Sequence, residues 1–246
     1  MWSNDLNCIK LIVGLLFFSL MVPIQAQKNL EETQCRPDPD FASPQYIIGY
    51  GSLMQEESKQ DEGADVGKNL PVYLAGFERG WIEHSSDTRF GTTYLGVKSK
   101  SGARINAVVF QLNNPKDLLK YDSREDTYCR VSVPRNSIQS LISEELPQGQ
   151  YWIYTTLARD AAPSSQYPLA QSYIDIFLSG CFELEKKYHL HQFAKECITK
   201  TTHWSGYWVN DRVYPRTAAD NIPYARAIDS LIAETLPHYY NQIKIE

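Results

Sequence analysis

Two short segments concentrate the residue types that chemistry needs. The first, Gly49-Tyr50-Gly51-Ser52-Leu53-Met54, closes an apolar strand. Its glycines permit a tight turn and let the backbone approach a ligand closely. The N–H groups of such a turn can face a carboxylate or an oxyanion. It is not a nucleophile elbow, because Gly-x-Ser-x-Gly is missing, and no Lys follows to make it a phosphate loop. The second segment, Tyr121-Asp122-Ser123-Arg124-Glu125-Asp126-Thr127-Tyr128-Cys129-Arg130, packs five charged side chains of mixed sign. Taken alone, it reads as solvated surface. A loop between a helix and a strand is nevertheless a common place for a catalytic acid, and neighbours such as Tyr121 and Tyr128 can tune a carboxylate. Cys129 is a nucleophile only as a free thiol, and no His lies nearby in sequence to activate it. His189 and His191 have the wrong spacing to share a helix face around a metal. Neither Cys-x-x-Cys nor His-Glu-x-x-His occurs, so no metal site is expected.

The elements that must position these residues fall into two groups. Tyr46–Leu53 is a β-branched and aromatic strand running into a Gly-punctuated turn. Leu70–Gly76, Gly91–Val97, Arg104–Leu112, Tyr128–Val133 and Gln150–Tyr154 also read as strands, with Pro115–Tyr121 as a short helix between them. Residues 55–69 are charged and read as a surface loop. The last third has helical periodicity over Pro168–Gly180, Leu190–Cys197 and Pro223–Pro237. Strands early and helices late predict an α+β fold. No linker interrupts residues 46–246, which are read as one domain after a flexible lead-in at 27–45.

The 246 residues carry a net charge of −5, so no basic excess marks a nucleic-acid partner. Lys10, the apolar stretch Leu11–Val22 and Pro23-Ile24-Gln25-Ala26 read as a secretory signal peptide cut after Ala26. The expected mature protein is exported, secreted or periplasmic, and does not associate with a membrane. Cleavage removes Cys8 and leaves Cys35, Cys129, Cys181 and Cys197. Four cysteines in an exported chain fit two disulfides, with three possible pairings. On one unbroken helix Cys181 and Cys197 lie about 24 Å apart, beyond the roughly 7 Å a bridge allows. If the helix breaks near His189, the two can face each other, which would leave Cys35 for Cys129.

In combination, the motifs resemble the γ-glutamylcyclotransferase superfamily, particularly its ChaC-like branch. Tyr50-Gly51-Ser52-Leu53 matches the family's strand-turn signature. Leu74-Ala75-Gly76-Phe77-Glu78-Arg79 and Ala103–Leu112 resemble its next strands, and Tyr121-x-x-Arg124-Glu125 with Tyr128 its tyrosine, arginine and glutamate block. Pro168-x-x-x-x-Tyr173-Ile174-Asp175, Gly180 and Trp208-Val209-Asn210-Asp211-Arg212 extend the resemblance over residues 46–236. Thr127 stands where the ChaC-type pattern commonly has Gly. The resemblance implies a mixed, barrel-like β-sheet with helices packed outside. It implies conversion of a γ-glutamyl amide, such as glutathione or a γ-glutamyl peptide or amine, to 5-oxoproline and a free amine. Glu125 would be the catalytic residue. Gly49, Tyr50, Gly51, Ser52, Leu53, Met54 and Tyr128 would bind the small-molecule γ-glutamyl substrate, with no cofactor. A non-catalytic γ-glutamyl-binding module of the same fold is the alternative.

Overall fold

Gln45-Tyr46-Ile47-Ile48-Gly49 forms strand β1, buried at every residue. A continuous buried run, rather than an in–out alternation, marks a central strand covered on both faces. Here Ile47 and Ile48 are shielded almost completely, and the one amide among them, Gln45, accepts from the Trp152 indole at 2.6 Å. The computed structural model describes residues 35–60, 64–85, 90–157, 161–217 and 222–246. The signal peptide read at 1–26, and the lead-in up to residue 34, lie outside the described residues.

The partner of β1 is a long hairpin, β2 (Leu70–His84) and β3 (Thr93–Leu112). The sequence predicts two strands, 91–97 and 104–112, where the structure has one. Lys100-Ser101-Gly102-Ala103, which fall between the two predicted strands, are absorbed into the pair as a bulge opposite Gly76. The register steps from Ala75↔Arg104 to Phe77↔Ser99. Gly76 and Gly102 take positive φ there, 85° and 75°, which only glycine adopts without strain. Helix α1 (Leu118–Arg124) leads into β4 (Tyr128–Ser132), followed by β5 (Ile138–Ser140) and β6 (Gln150–Thr156).

Strands β1 to β6 form one mixed sheet in the order β4-β6-β1-β3-β2-β5. β1 runs antiparallel to β3 and parallel to β6. The fold is α+β, as the order of elements predicts. The expected barrel-like closure is absent: among the described residues, β4 at one end and β5 at the other have no pairing that closes the ring. β5 is only three residues long, too short to carry a closing ladder.

The helical third packs against this sheet. β7 (Leu169–Ala170) feeds α2 (Gln171–Tyr188), and α3 (Phe193–Thr199) follows. The break falls where the sequence places it. His189 adopts the left-handed conformation at φ 52° and its N–H bonds the Glu185 carbonyl, ending α2. The resulting hairpin brings Cys181 and Cys197 to a Cα separation of 6.7 Å, and they form a disulfide. Cys35 bonds Cys129 across 5.1 Å. β8 (Thr201–Thr202) pairs with β2, and β9 (Trp208–Asn210) with β7. Helices α4 (Ala225–Thr235) and α5 (Pro237–Tyr240) and the short β10 (Lys244–Ile245) complete the chain.

Candidate active site

Where β1 ends, the chain turns sharply. Ser52–Met54 form one helical turn, with the Met54 N–H on the Gly51 carbonyl at 3.0 Å. Glycine is needed in this turn for space. A Cβ on Gly49 would lie 2.9 Å from the Leu53 Cβ, and one on Gly51 would lie 2.9 Å from the Tyr173 hydroxyl. Helix α2 closes over the turn by an equally tight approach, since a Cβ on Gly180 would lie 2.6 Å from the Met54 carbonyl carbon.

Beneath the turn lies a residue that local patterns do not single out. Arg79, on β2, is fully buried. Its guanidinium donates to the Tyr50 carbonyl (3.1 Å), to the Asn106 carbonyl (2.9 Å) and side chain (2.8 Å), to the Thr201 hydroxyl (2.7 Å) and to the Cys197 carbonyl (3.0 Å). Every one of these partners is neutral. Burial lowers the Arg79 pKa to about 9, so it stays a cation at neutral pH.

Glu125 arrives from the opposite side. It ends helix α1, with its N–H on the Tyr121 carbonyl at 2.8 Å. Arg124 flanks it, with Nε 3.3 Å from Glu125 Oε1, and Arg124 Nη1 is itself anchored to the Ser58 carbonyl at 2.6 Å. Arg36 clamps the loop by donating to the Glu125 carbonyl at 3.0 Å and the Tyr128 carbonyl at 3.3 Å. The Cys35–Cys129 disulfide adjoins that clamp. Residues 55–60, expected as part of a surface loop, instead tuck under α1. Lys59 is fully buried, with its ammonium on the Glu56 carboxylate (2.5 Å), the Gly67 carbonyl (2.8 Å) and the Asn69 side chain (3.1 Å). Its burial is tolerated because oxygen acceptors replace the lost water.

The turn and the Glu125 loop meet at two adjoining cavities. A narrow inner pocket is lined by Tyr50, Gly51, Ser52, Leu53, Glu125 and Tyr128, with Tyr154 and Tyr173. A wider cleft of about 310 Å³ shares Ser52, Glu125, Tyr128 and Tyr173 with it and adds Glu83, Asp126 and others. That volume suits a small molecule. The tyrosines are fixed walls. Tyr50 donates to the Tyr154 carbonyl at 2.7 Å, and Tyr128 to the Leu95 carbonyl at 2.9 Å. Burial pushes the hydroxyls of Tyr50, Tyr128, Tyr154 and Tyr173 well up, and the charge of Glu125 adds to the effect. All four therefore remain protonated across the neutral range.

No protein-family model and no curated protein matches the chain. Solved structures do. An uncharacterized human protein is 15% identical over 77% of this chain and 98% of its own, with a TM-score of 0.50. A γ-glutamyl cyclotransferase is 14% identical over 78% of this chain and 99% of its own, also with a TM-score of 0.50. The chain has the γ-glutamyl cyclotransferase fold.

Within that γ-glutamyl cyclotransferase fold, the residues singled out from sequence divide cleanly. Tyr50, Gly51, Ser52, Leu53, Glu125 and Tyr128 come together at the inner pocket. Gly49 and Met54 do not line either cavity: Gly49 is the last β1 residue, paired with Val108, and Met54 is fully buried below the turn. Cys129 is held in a disulfide and is no nucleophile. Tyr121, expected beside the carboxylate, instead donates to the Lys59 carbonyl at 2.5 Å, away from the pocket. Local pattern does not mark Tyr154, Glu83, Tyr94 or Leu95, which line the cavities, or Arg79 behind them. Tyr173 belongs to the predicted helix face and to the resemblance motif that starts at Pro168, neither of which assigns it to the site. Among the described residues, no group of His, Cys, Asp and Glu could hold a metal ion.

Proposed function

We propose that the protein is a γ-glutamyl cyclotransferase, converting a γ-glutamyl amide to 5-oxoproline and a free amine. The observation that carries the reading is the placement of Glu125 at the Tyr50–Leu53 turn, in one small-molecule cavity. In the reaction the substrate's α-amine attacks its own γ-carbonyl. A nitrogen–carbon bond forms in the new five-membered ring, and the amide bond to the leaving amine breaks. Glu125 takes a proton from the α-ammonium and gives it to the departing nitrogen, so one carboxylate is base and then acid; the second proton lost by the attacking nitrogen ends on the released amine, which leaves as an ammonium. The walls hold the substrate folded for attack, and proximity supplies much of the acceleration.

The substrate's α-carboxylate is assigned to the turn. The Ser52 hydroxyl and turn N–H groups are suited to an anion, and the buried cation of Arg79 lies behind Tyr50. Tyr128 is a wall. Glutathione, γ-glutamyl peptides and γ-glutamyl amines all present this γ-glutamyl end. The two disulfides fit an oxidising compartment, and no helix of the described residues is long and apolar enough to cross a membrane. With the segment read at 1–26 as a signal peptide, the enzyme is proposed to work outside the cytoplasm, with residues 46–246 as its catalytic domain. Incubation of the oxidised protein with a panel of γ-glutamyl compounds tests the activity. Equimolar 5-oxoproline and amine are expected. Release of glutamate would point to hydrolysis, and binding without turnover to a non-catalytic module.

A further inference from the structure

The proposed cyclisation leaves one buried carboxylate in the cleft without a task. Glu83 lies near the end of β2, only 7% exposed, and lines the wider cleft beside Glu125. The Thr156 hydroxyl donates to its Oε2. Among the described residues no lysine or arginine pairs with it. Burial raises its pKa, while the Thr156 bond and neighbouring His84 oppose the rise. A carboxylate so placed is costly to the empty protein and is relieved by a cation brought in from outside.

Among the described residues, the other charged groups of the cleft leave that position open. Asp126 and Glu125 add negative charge. The Arg124 guanidinium is engaged with Glu125 and the Ser58 carbonyl. His84 stacks on Tyr167, with ring centroids 4.1 Å apart, and its Nε2 lies 3.1 Å from the Ala162 carbonyl. The inner pocket has Glu125 as its lining carboxylate, with tyrosines and the turn as its other walls and the Arg79 cation buried behind the turn. A γ-glutamyl group seated there sends its leaving amine out through the wider cleft, past Glu83.

We propose that Glu83 selects γ-glutamyl amides whose leaving amine carries a second, positively charged amino group. This rests on the cyclotransferase reading and narrows its substrate class. The distal ammonium supplies the partner Glu83 lacks. A leaving group that ends in a carboxylate, as in a glycine-terminated γ-glutamyl peptide, meets like charge instead. Glu83 acts on the leaving group's distal end, so it bears on selection and takes no part in bond making.

Three matched amides test this: the γ-glutamyl derivatives of putrescine, n-butylamine and γ-aminobutyric acid, which end in a cation, a methyl and an anion. The readout is kcat/KM for 5-oxoproline release, with wild type, Glu83→Gln and Glu83→Asp. Wild type should favour the putrescine amide. In Glu83→Gln the putrescine-to-butylamine ratio should fall about tenfold, the size expected of a partly screened charge pair. Glu83→Asp should keep part of it, and added salt should weaken it. The inference is overturned by an unchanged ratio in Glu83→Gln, by a wild-type preference for the anionic amide, or by an equal loss on all three amides, which would mark a structural role. If wild type releases no 5-oxoproline from these amides or from glutathione, the cyclotransferase reading itself fails, and the inference falls with it.

Discussion

Glu125 and Glu83 share one cleft under different constraints. Glu125 is flanked by Arg124 and fastened through its backbone by Arg36. Glu83 is buried against a hydroxyl. Because burial raises the folded-state pKa of Glu83, its ionised form is disfavoured by folding. The stability it contributes is present in acid and lost as pH rises through its folded pKa. Glu83→Gln should therefore raise the melting temperature at neutral pH, with the gain vanishing in acid. An equal gain at both pH values would contradict the burial argument. Neither Glu83 nor Arg79 was legible as a site residue from local pattern. Each is one of the charged residues of a long strand, and only the sheet pairing and packing show that it is buried. Glu125 was legible because its short helix, its loop and the following strand are all local features. Tyr50 to Leu53 were legible because glycine punctuates the turn. Gly49 and Met54 belonged to the same motif, but a turn shows one edge to the cavity and the other to the core.

At the scale of elements, each disulfide supports one half of the site. Cys35–Cys129 adjoins the Arg36 clamp on the Glu125–Tyr128 loop. Cys181–Cys197 holds the α2–α3 hairpin, and the Cys197 carbonyl accepts from Arg79 under the turn. The first bridge spans 94 residues and the second 16. In the chain-entropy account, loops of these sizes correspond to about 4.7 and about 3 kcal/mol. Urea unfolding of Cys35→Ala/Cys129→Ala should show the larger loss of stability, and the Glu125 loop should lose order with it. A smaller loss than that of Cys181→Ala/Cys197→Ala would count against the clamp. Gly180→Ala forces a Cβ against the Met54 backbone. The overpacking should cost about 1–3 kcal/mol in the same assay and reduce activity through the displaced turn; a variant as stable as wild type would mean that α2 can shift freely. The helix break at His189 was legible from the spacing of the cysteines and the apolar faces on either side. The continuity of β3 was not, because a bulge and a turn use the same Gly and Ser residues and differ only in what lies beside them.

Across the whole molecule, the sheet supplies a rigid back wall, and the helical third closes over the turn at its edge. The α+β order was legible because strand and helix periodicities occupy separate parts of the chain. The openness of the sheet was not, since closure depends on pairing between distant edges that no local pattern encodes. Sixteen tyrosines against nine phenylalanines also acquire a reason at this scale. Tyr50 and Tyr128 wall the cavity with hydroxyls bonded to backbone carbonyls, and Tyr154 with its hydroxyl on Asp122, so they combine apolar surface with satisfied polar tips. The central claim is that this cavity cyclises γ-glutamyl amides with Glu125 as the proton-transfer group. Its most direct test is the rate of 5-oxoproline formation by wild type and Glu125→Gln, with substrate binding measured alongside. The account predicts a fall of about 10² or more in kcat with binding retained. Equal rates in the two proteins would contradict it.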